Sequence, residues 1–323
     1  MRMRIVWKRV LLLACVAGVV VLLLRGLLLA RCAPEKAADD GEDAVITVYD
    51  HREEAFLAMP LEDYIMGVTA AEMPASFPLE ALKAQCVAAR TYTAYHMLHD
   101  GCKRYDADVC TSSACCQAYC SDERMAERWG GDYADNRQKM ARAVRETAHE
   151  VLLYGGEPIE ALYHSASGGR TENVEDVYGT ALPYLNSVMS TAEAGTAKLS
   201  GERTLSLTAL CEAVNGKWPA AKLTEANAAR RVEILETTAS GRVKSIRLGG
   251  VTVAGRQVRS LLSLDSALFT VTFTGNAVTF HTKGYGHGVG MSQTGANAMA
   301  LGGDGQYACY CGCWEHSSVL SDY

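Results

Sequence analysis

A run of apolar residues from Val10 to Leu24, interrupted by Arg25 and resumed from Gly26 to Ala30, dominates the start of this 323-residue chain. Counted through to Ala30 it has 21 residues, close to the roughly 20 a helix needs to cross a bilayer. Arg25 lies near one end, where its stem can carry the charge to the interface. Arg2, Arg4, Lys8 and Arg9 precede the run, and basic flanks stay on the cytoplasmic side, so residue 32 onward is predicted to fold outside the membrane. A cleaved leader needs small residues after the run. Ala30-Arg31-Cys32-Ala33 is a poor site, and Arg31 equally disfavours lipid attachment at Cys32. A retained single-pass anchor over residues 1–32 is the favoured reading, followed by a polar, acidic tether over residues 33–44.

Charge narrows the partners. The net charge of -6 includes six basic residues and no acid within residues 1–31. Without them, 25 basic face 37 acidic residues, a net of -12 for the remainder. Affinity for nucleic acid rests on Lys and Arg replacing counterions at phosphates, so a nucleic-acid role is disfavoured.

Two adjacent segments read as helices that aim charge inward. Pro60 to Val68 starts with proline and two acids, as helices do, and Leu61, Tyr64, Ile65 and Val68 form one apolar stripe. Glu72 falls on the same stripe before Met73-Pro74 stops the helix. Burial and the negative end of the helix dipole both favour its protonated form, as a general acid requires. The second helix starts at Pro78 and has a stripe of Leu79, Leu82, Cys86, Ala89, Thr93 and Met97, with Arg90 inside it. A charge on such a face is paired or lines a cleft, and a Glu72–Arg90 ion pair without chemistry is the plain alternative.

Three ordered blocks then carry a resemblance. They are Leu61-Glu62-Asp63-Tyr64 with Ala70 to Gln85 and Ala88-Ala89-Arg90-Thr91-Tyr92, then Tyr163 to Asn173, then Gly284-Tyr285-Gly286-His287-Gly288-Val289-Gly290-Met291-Ser292-Gln293. Together they cover most of residues 45–300, and the chain resembles the stage II sporulation protein D family, related to the amidase enhancers. The resemblance implies a membrane-anchored lytic transglycosylase with Glu72 catalytic, Arg90 in the cleft, and Arg170 where the family usually has Lys. It further implies glycan strands already stripped of peptide, an amidase and a membrane partner in an engulfment complex, and a mother-cell membrane location facing the forespore.

Around these positions, Ser165 and Ser167 sit in a small-residue loop able to approach a ligand, although no Gly-x-Ser-x-Gly elbow makes Ser167 a nucleophile. His287 is flanked by glycines and is read as cleft-exposed, with a structural histidine as the alternative; Gln293 opens a helix-like stretch. The alternating glycines are not a nucleotide loop, for no Lys-Ser or Lys-Thr follows.

Five cysteines crowd into residues 102–120. Outside a membrane, disulfides are the default, whereas clustered cysteines also suit tetrahedral zinc. The resemblance adds weight to a structural zinc site held by Cys110, Cys115 and Cys116, with Cys102, Cys120 or His99 as the fourth ligand. Cys115 and Arg104 stand where the family usually has histidines.

The expected fold class is α+β. After the transmembrane helix come a mixed core over residues 45–190 and 278–305, a β-rich insert over 191–277, and an atypical Cys-rich tail over 306–323. Val151–Tyr154 and Ile159–His164 are predicted to form a hairpin.

Overall fold

The computed structural model describes residues 44–193, 199–307, 314 and 318–320, so the apolar run and nearly all of the acidic tether lie outside it. No helix among the described residues is long and apolar enough to cross a membrane.

β1 (Val45–Asp50) and β2 (Ala55–Pro60) form an antiparallel hairpin, with Val45 opposite Pro60. Pro60 ends the strand and caps α1 (Leu61–Glu72), which carries Glu62 and Asp63 in its first turn. Leu61, Tyr64, Ile65 and Val68 are all buried, as their spacing requires. Met73 adopts extended geometry, the conformation a following proline imposes, and the helix stops there. α2 (Leu79–Leu98) begins after Pro78, and β3 (Val109–Cys110) pairs in parallel with β1. Two polar-faced helices follow, α3 (Asp122–Trp129) and α4 (Tyr133–Glu146).

β4 (Val151–Tyr154) pairs with β5 (Glu157–Pro158), Leu153 opposite Pro158. The expected partner was Ile159–His164, whereas the strand that pairs lies in the segment read as the turn. Instead β6 (Tyr163–His164) departs to pair in parallel with residues 291–292, and the N–H of Met291 donates to the Leu162 carbonyl. The third block supplies a backbone ladder that the hairpin would have had to give up. α5 (Val174–Tyr178) ends at Gly179 in the left-handed region.

Next come β7 (Ser200–Ser206), α6 (Leu207–Lys217), α7 (Glu225–Arg231), β8 (Val232–Thr237), β9 (Val243–Leu248), β10 (Val251–Ala254), α8 (Gly255–Leu262), β11 (Phe269–Thr274) and β12 (Ala277–Lys283). They build two three-stranded sheets, ordered β10-β9-β8 and β11-β12-β7. Leu210, Val214, Ile246, Val258, Val278 and Phe280 meet in an apolar cluster separate from that of α1 and α2. The boundary expected at 277/278 therefore cuts through β12. Its inward residues belong to this second cluster, and it pairs along its whole length with β7.

The chain returns through β13 (Met291–Ser292) and α9 (Gln293–Leu301). The tail corrects another expectation. Trp314 is 1% exposed within the main core, and β14 (Ser318–Leu320) pairs with β4, Val319 opposite Leu152. A three-residue strand is too short for its alternation to be legible. At the centre lies α2, buried almost all round because α1, α4, α9 and β4 pack against its successive faces.

Candidate active-site cleft

The last turn of α1 opens onto a cleft of about 410 Å³ lined by Glu72, Tyr92, Lys103, Cys115, Cys116, Gln117, Glu160, Tyr163, Tyr178 and His287, among others. Glu72 is half-buried, and two donors hold it. The N–H of Ala118 donates to Oε1 at 3.1 Å, and the Gln293 amide Nε2 donates to Oε2 at 3.4 Å. Burial pushes the carboxyl above the ordinary carboxylate range, outweighing both hydrogen bonds. The group is thus disposed to carry a proton, while its donors stand ready to hold the anion once that proton leaves.

A buried amide and hydroxyl network supports this arrangement. Gln293 Nε2 also faces Gln85 Oε1 at 3.3 Å, Tyr163 Oη donates to Gln117 Oε1 at 2.8 Å, and Gln117 Nε2 donates to Thr93 Oγ1 at 3.2 Å. Gln293 reaches its position because Ser292 caps α9, accepting from the N–H of Gly295.

Arg90 does not reach the cleft. It is fully buried, and its fork binds Glu62 through Nε and Nη2, both at 2.6 Å, while Nη1 donates to the Glu150 carbonyl at 3.0 Å. Its inward direction was legible; its partner is Glu62 rather than Glu72. Arg170 also lies away from the cleft, with Nε on Ser187 Oγ at 2.8 Å. Ser167 is fully buried and is bound through both its hydroxyl and its N–H to Glu193. Ser165 does not line the cleft, and its carbonyl accepts from the N–H of Thr294. Apart from Tyr163, which lines the cleft, the second block therefore supports the cleft from behind.

His287 does line the cleft, yet both ring nitrogens are taken. Nε2 donates to the Tyr163 carbonyl at 2.9 Å, and Nδ1 accepts from the N–H of Val289 at 3.1 Å. Burial pulls its pKa down to about 4, so it is neutral above mildly acidic pH. Its neighbour Gly288, at φ +89°, has no side chain to obstruct the buried guanidinium of Arg242, which donates to the carbonyls of Ser167 and Arg170.

Cys115 and Cys116 line the cleft. The sulfurs of Cys102, Cys110, Cys115 and Cys116 all lie within 4.8 Å of one another. Cys102 and Cys115 are 3.4 Å apart, and Cys115 and Cys116 are 4.0 Å apart. Four thiolates about 2.3 Å from a zinc ion would have sulfurs roughly 3.8 Å apart, so this donor set fits tetrahedral zinc. The described cysteines are free thiols. Of the other candidate ligands, Cys120 packs beside Met125, and His99 stacks on Tyr95 with Nδ1 at the Tyr95 carbonyl. Within the cluster, hydrogen bonding led by Cys116 draws the Cys110 thiol down to about 5, whereas burial pushes Cys115 up to about 11.

Sequence reasoning missed several residues here. Glu160 lines the cleft half-buried, its carboxyl raised by burial against the opposing charge of Lys103 and His99. It lies in the irregular stretch between β5 and β6, where no periodicity marks an inward position. Tyr178 ends a five-residue helix too short to show a stripe. Ala118 acts through its backbone, which residue identity does not reveal.

The family model described as "Stage II sporulation protein" matches residues 49–154. The chain is 37% identical over 256 residues to stage II sporulation protein D of Bacillus amyloliquefaciens, covering 79% of this chain and 72% of that one. It is 36% identical over 259 residues to stage II sporulation protein D of Bacillus subtilis (strain 168), covering 80% and 74%. The amidase enhancer of Bacillus subtilis (strain 168) is 27% identical over 306 residues, 80% of this chain and 39% of that protein. With the block containing Glu72 inside the matched region and the likeness extending over most of both chains, this protein belongs to the stage II sporulation protein D family.

Proposed function

We propose that the protein is a membrane-anchored lytic transglycosylase that cuts peptidoglycan glycan strands during sporulation. The observation that carries this reading is the Glu72 carboxyl, held protonation-prone in a cleft large enough for sugar units and flanked by two hydrogen-bond donors. Protonated Glu72 donates to the glycosidic oxygen as the bond from the muramic acid anomeric carbon breaks. The muramic acid 6-hydroxyl then attacks that carbon and closes a 1,6-anhydro ring, and its proton returns to Glu72. The donors Ala118 N–H and Gln293 Nε2 stabilise the carboxylate between the two transfers.

The same reading places the chain in the mother-cell membrane through residues 1–32, with an amidase as partner. It gives the cysteine cluster a structural zinc ion held by Cys102, Cys110, Cys115 and Cys116. Such an ion would fix the loop that presents Ala118 to Glu72, contributing rigidity and no reaction step.

Kinship with an amidase enhancer favours one alternative, a wall-binding activator without glycosidase chemistry. The test incubates the purified protein and its Glu72→Gln variant with peptide-free glycan strands and weighs the products. Anhydro ends that disappear in the variant support the transglycosylase. Reducing ends instead indicate a two-carboxylate hydrolase, and no products with stimulation of an amidase retained indicate the activator.

A further inference from the structure

The cleft that holds Glu72 is also lined by Glu160, Tyr178 and Lys103. The Glu160 carboxylate is half-buried, yet it makes no hydrogen bond to any described residue. It interacts at a distance with the charges of Lys103 and His99 and lies close enough to Tyr92, Tyr95, Tyr178 and Tyr184 to raise their phenol pKa values. A half-buried carboxylate that lines the cleft without a described donor can accept hydrogen bonds from a ligand there. Tyr178 also lines the cleft, at 57% exposure, with its ring edge-on to His287 at 6.0 Å. An exposed aromatic face on a fixed histidine offers a flat apolar platform beside polar groups. Lys103 is exposed and is the one lysine or arginine among the described residues lining this cleft, in a body of net charge -12.

We propose that Glu160, Tyr178 and Lys103 form a sugar subsite in the Glu72 cleft, selective for a carboxylate-bearing glycan. One pyranose ring lies on the Tyr178 face. Its hydroxyl or acetamido N–H groups donate to Glu160 and satisfy that carboxylate. Lys103 pairs with the lactyl carboxylate of a muramic acid. That carboxylate exists only where no peptide is attached, because an attached peptide converts it to a neutral amide. The two expected cations, Arg90 and Arg170, are committed elsewhere, so Lys103 is the group left to read this charge. The assignment rests on the glycan-cleaving function proposed above.

The experiment measures binding by titration calorimetry in the catalytically silent Glu72→Gln background, so binding is read apart from chemistry. Two probes are used, an uncharged N-acetylglucosamine hexamer and peptide-free glycan strands bearing lactyl carboxylates. Glu160→Ala is expected to weaken both probes by about tenfold, as loss of a hydrogen bond to a charged group does, and Tyr178→Ala by about the same factor through loss of the aromatic platform. Tyr178→Phe, which retains the platform, is expected to bind like the parent. Lys103→Gln is expected to weaken only the carboxylate-bearing strands and to flatten the salt dependence of their binding. Melting temperatures equal to the parent's accompany these results.

Binding by Tyr178→Ala and Glu160→Ala within about twofold of the parent overturns the subsite, and so does an equal effect of Lys103→Gln on the two probes. The two proposals fail separately. Anhydro products from the wild type with unaltered binding in the variants overturn the subsite alone. Discriminating binding without any anhydro product from the wild type leaves the subsite standing and removes the transglycosylase.

Discussion

Replacing Arg90 by Met tests whether this arginine holds the fold or takes part in chemistry. The guanidinium is fully buried, and the Glu62 carboxylate beneath it is 14% exposed. The substitution removes two hydrogen bonds of 2.6 Å and a third of 3.0 Å to the Glu150 carbonyl. It leaves Glu62 charged and nearly dry. Breaking one partner of a buried pair costs about 3–5 kcal/mol. At roughly 2–4 °C per kcal/mol for a chain somewhat smaller than this one, melting falls by about 6–20 °C. Arg90→Lys keeps a charge but loses the fork, so its melting point should lie between the two. The pair Arg90→Met with Glu62→Leu recovers most of the loss, since apolar residues of matching volume commonly replace a buried ion pair at little cost. Thermal unfolding by circular dichroism, with turnover per folded molecule on glycan strands, reads both quantities. An Arg90→Met protein that melts within about 1 °C of wild type yet has lost its turnover would refute the assignment, because a buried pair cannot vanish without thermal consequence.

Three shorter predictions follow from the cleft. Because burial raises the folded-state pKa of Glu72, its ionisation opposes folding; that penalty is absent below the unfolded carboxyl's pKa and complete above the folded one. Glu72→Gln should therefore raise the melting temperature at pH 8 and give no advantage near pH 3, while activity in the wild type declines as alkali removes the proton; an unchanged melting point at pH 8 contradicts the assignment. If the thiol cluster holds zinc, purified protein contains about one ion per chain, and Cys110→Ser with Cys116→Ser removes it; elemental analysis showing equal zinc in both ends that idea. Gly288→Ala sets a methyl group against the Arg242 guanidinium at a positive φ, a strain of about 1–3 kcal/mol that urea unfolding measures.

What could be read in advance follows the range of each signal. The stripe Leu61, Tyr64, Ile65, Val68 repeats every helical turn, so it announced both α1 and the inward direction of Glu72. The same periodicity turned Arg90 inward but said nothing of its partner, since Glu62 lies 28 residues away and off the stripe. Gln293 meets Glu72 across 221 residues, a distance no local pattern spans. Cys102, Cys110, Cys115 and Cys116 were visible as a group because their loop is short, and the residues excluded from it, Cys120 and His99, are as close in sequence. Chain spacing narrowed that ligand set, and only folding chose among its members. β12 was misassigned because Val278 and Phe280 alternate equally well for either apolar cluster; their pairing with β7 decided the matter.

Arg242 joins units that differ in every other respect. It comes from the second cluster's side of the molecule, yet it grips carbonyls at Ser167 and Arg170, while its neighbours Thr238 and Ser240 satisfy the buried Glu172. A minimal protein made by excising residues 199–283 would thus lose more than an appendage: the carbonyls of Ser167 and Arg170 and the Glu172 carboxylate would lose these donors. Together with Thr238 and Ser240, that arginine is the keystone by which the outer sheets are tied to the loops they rest on.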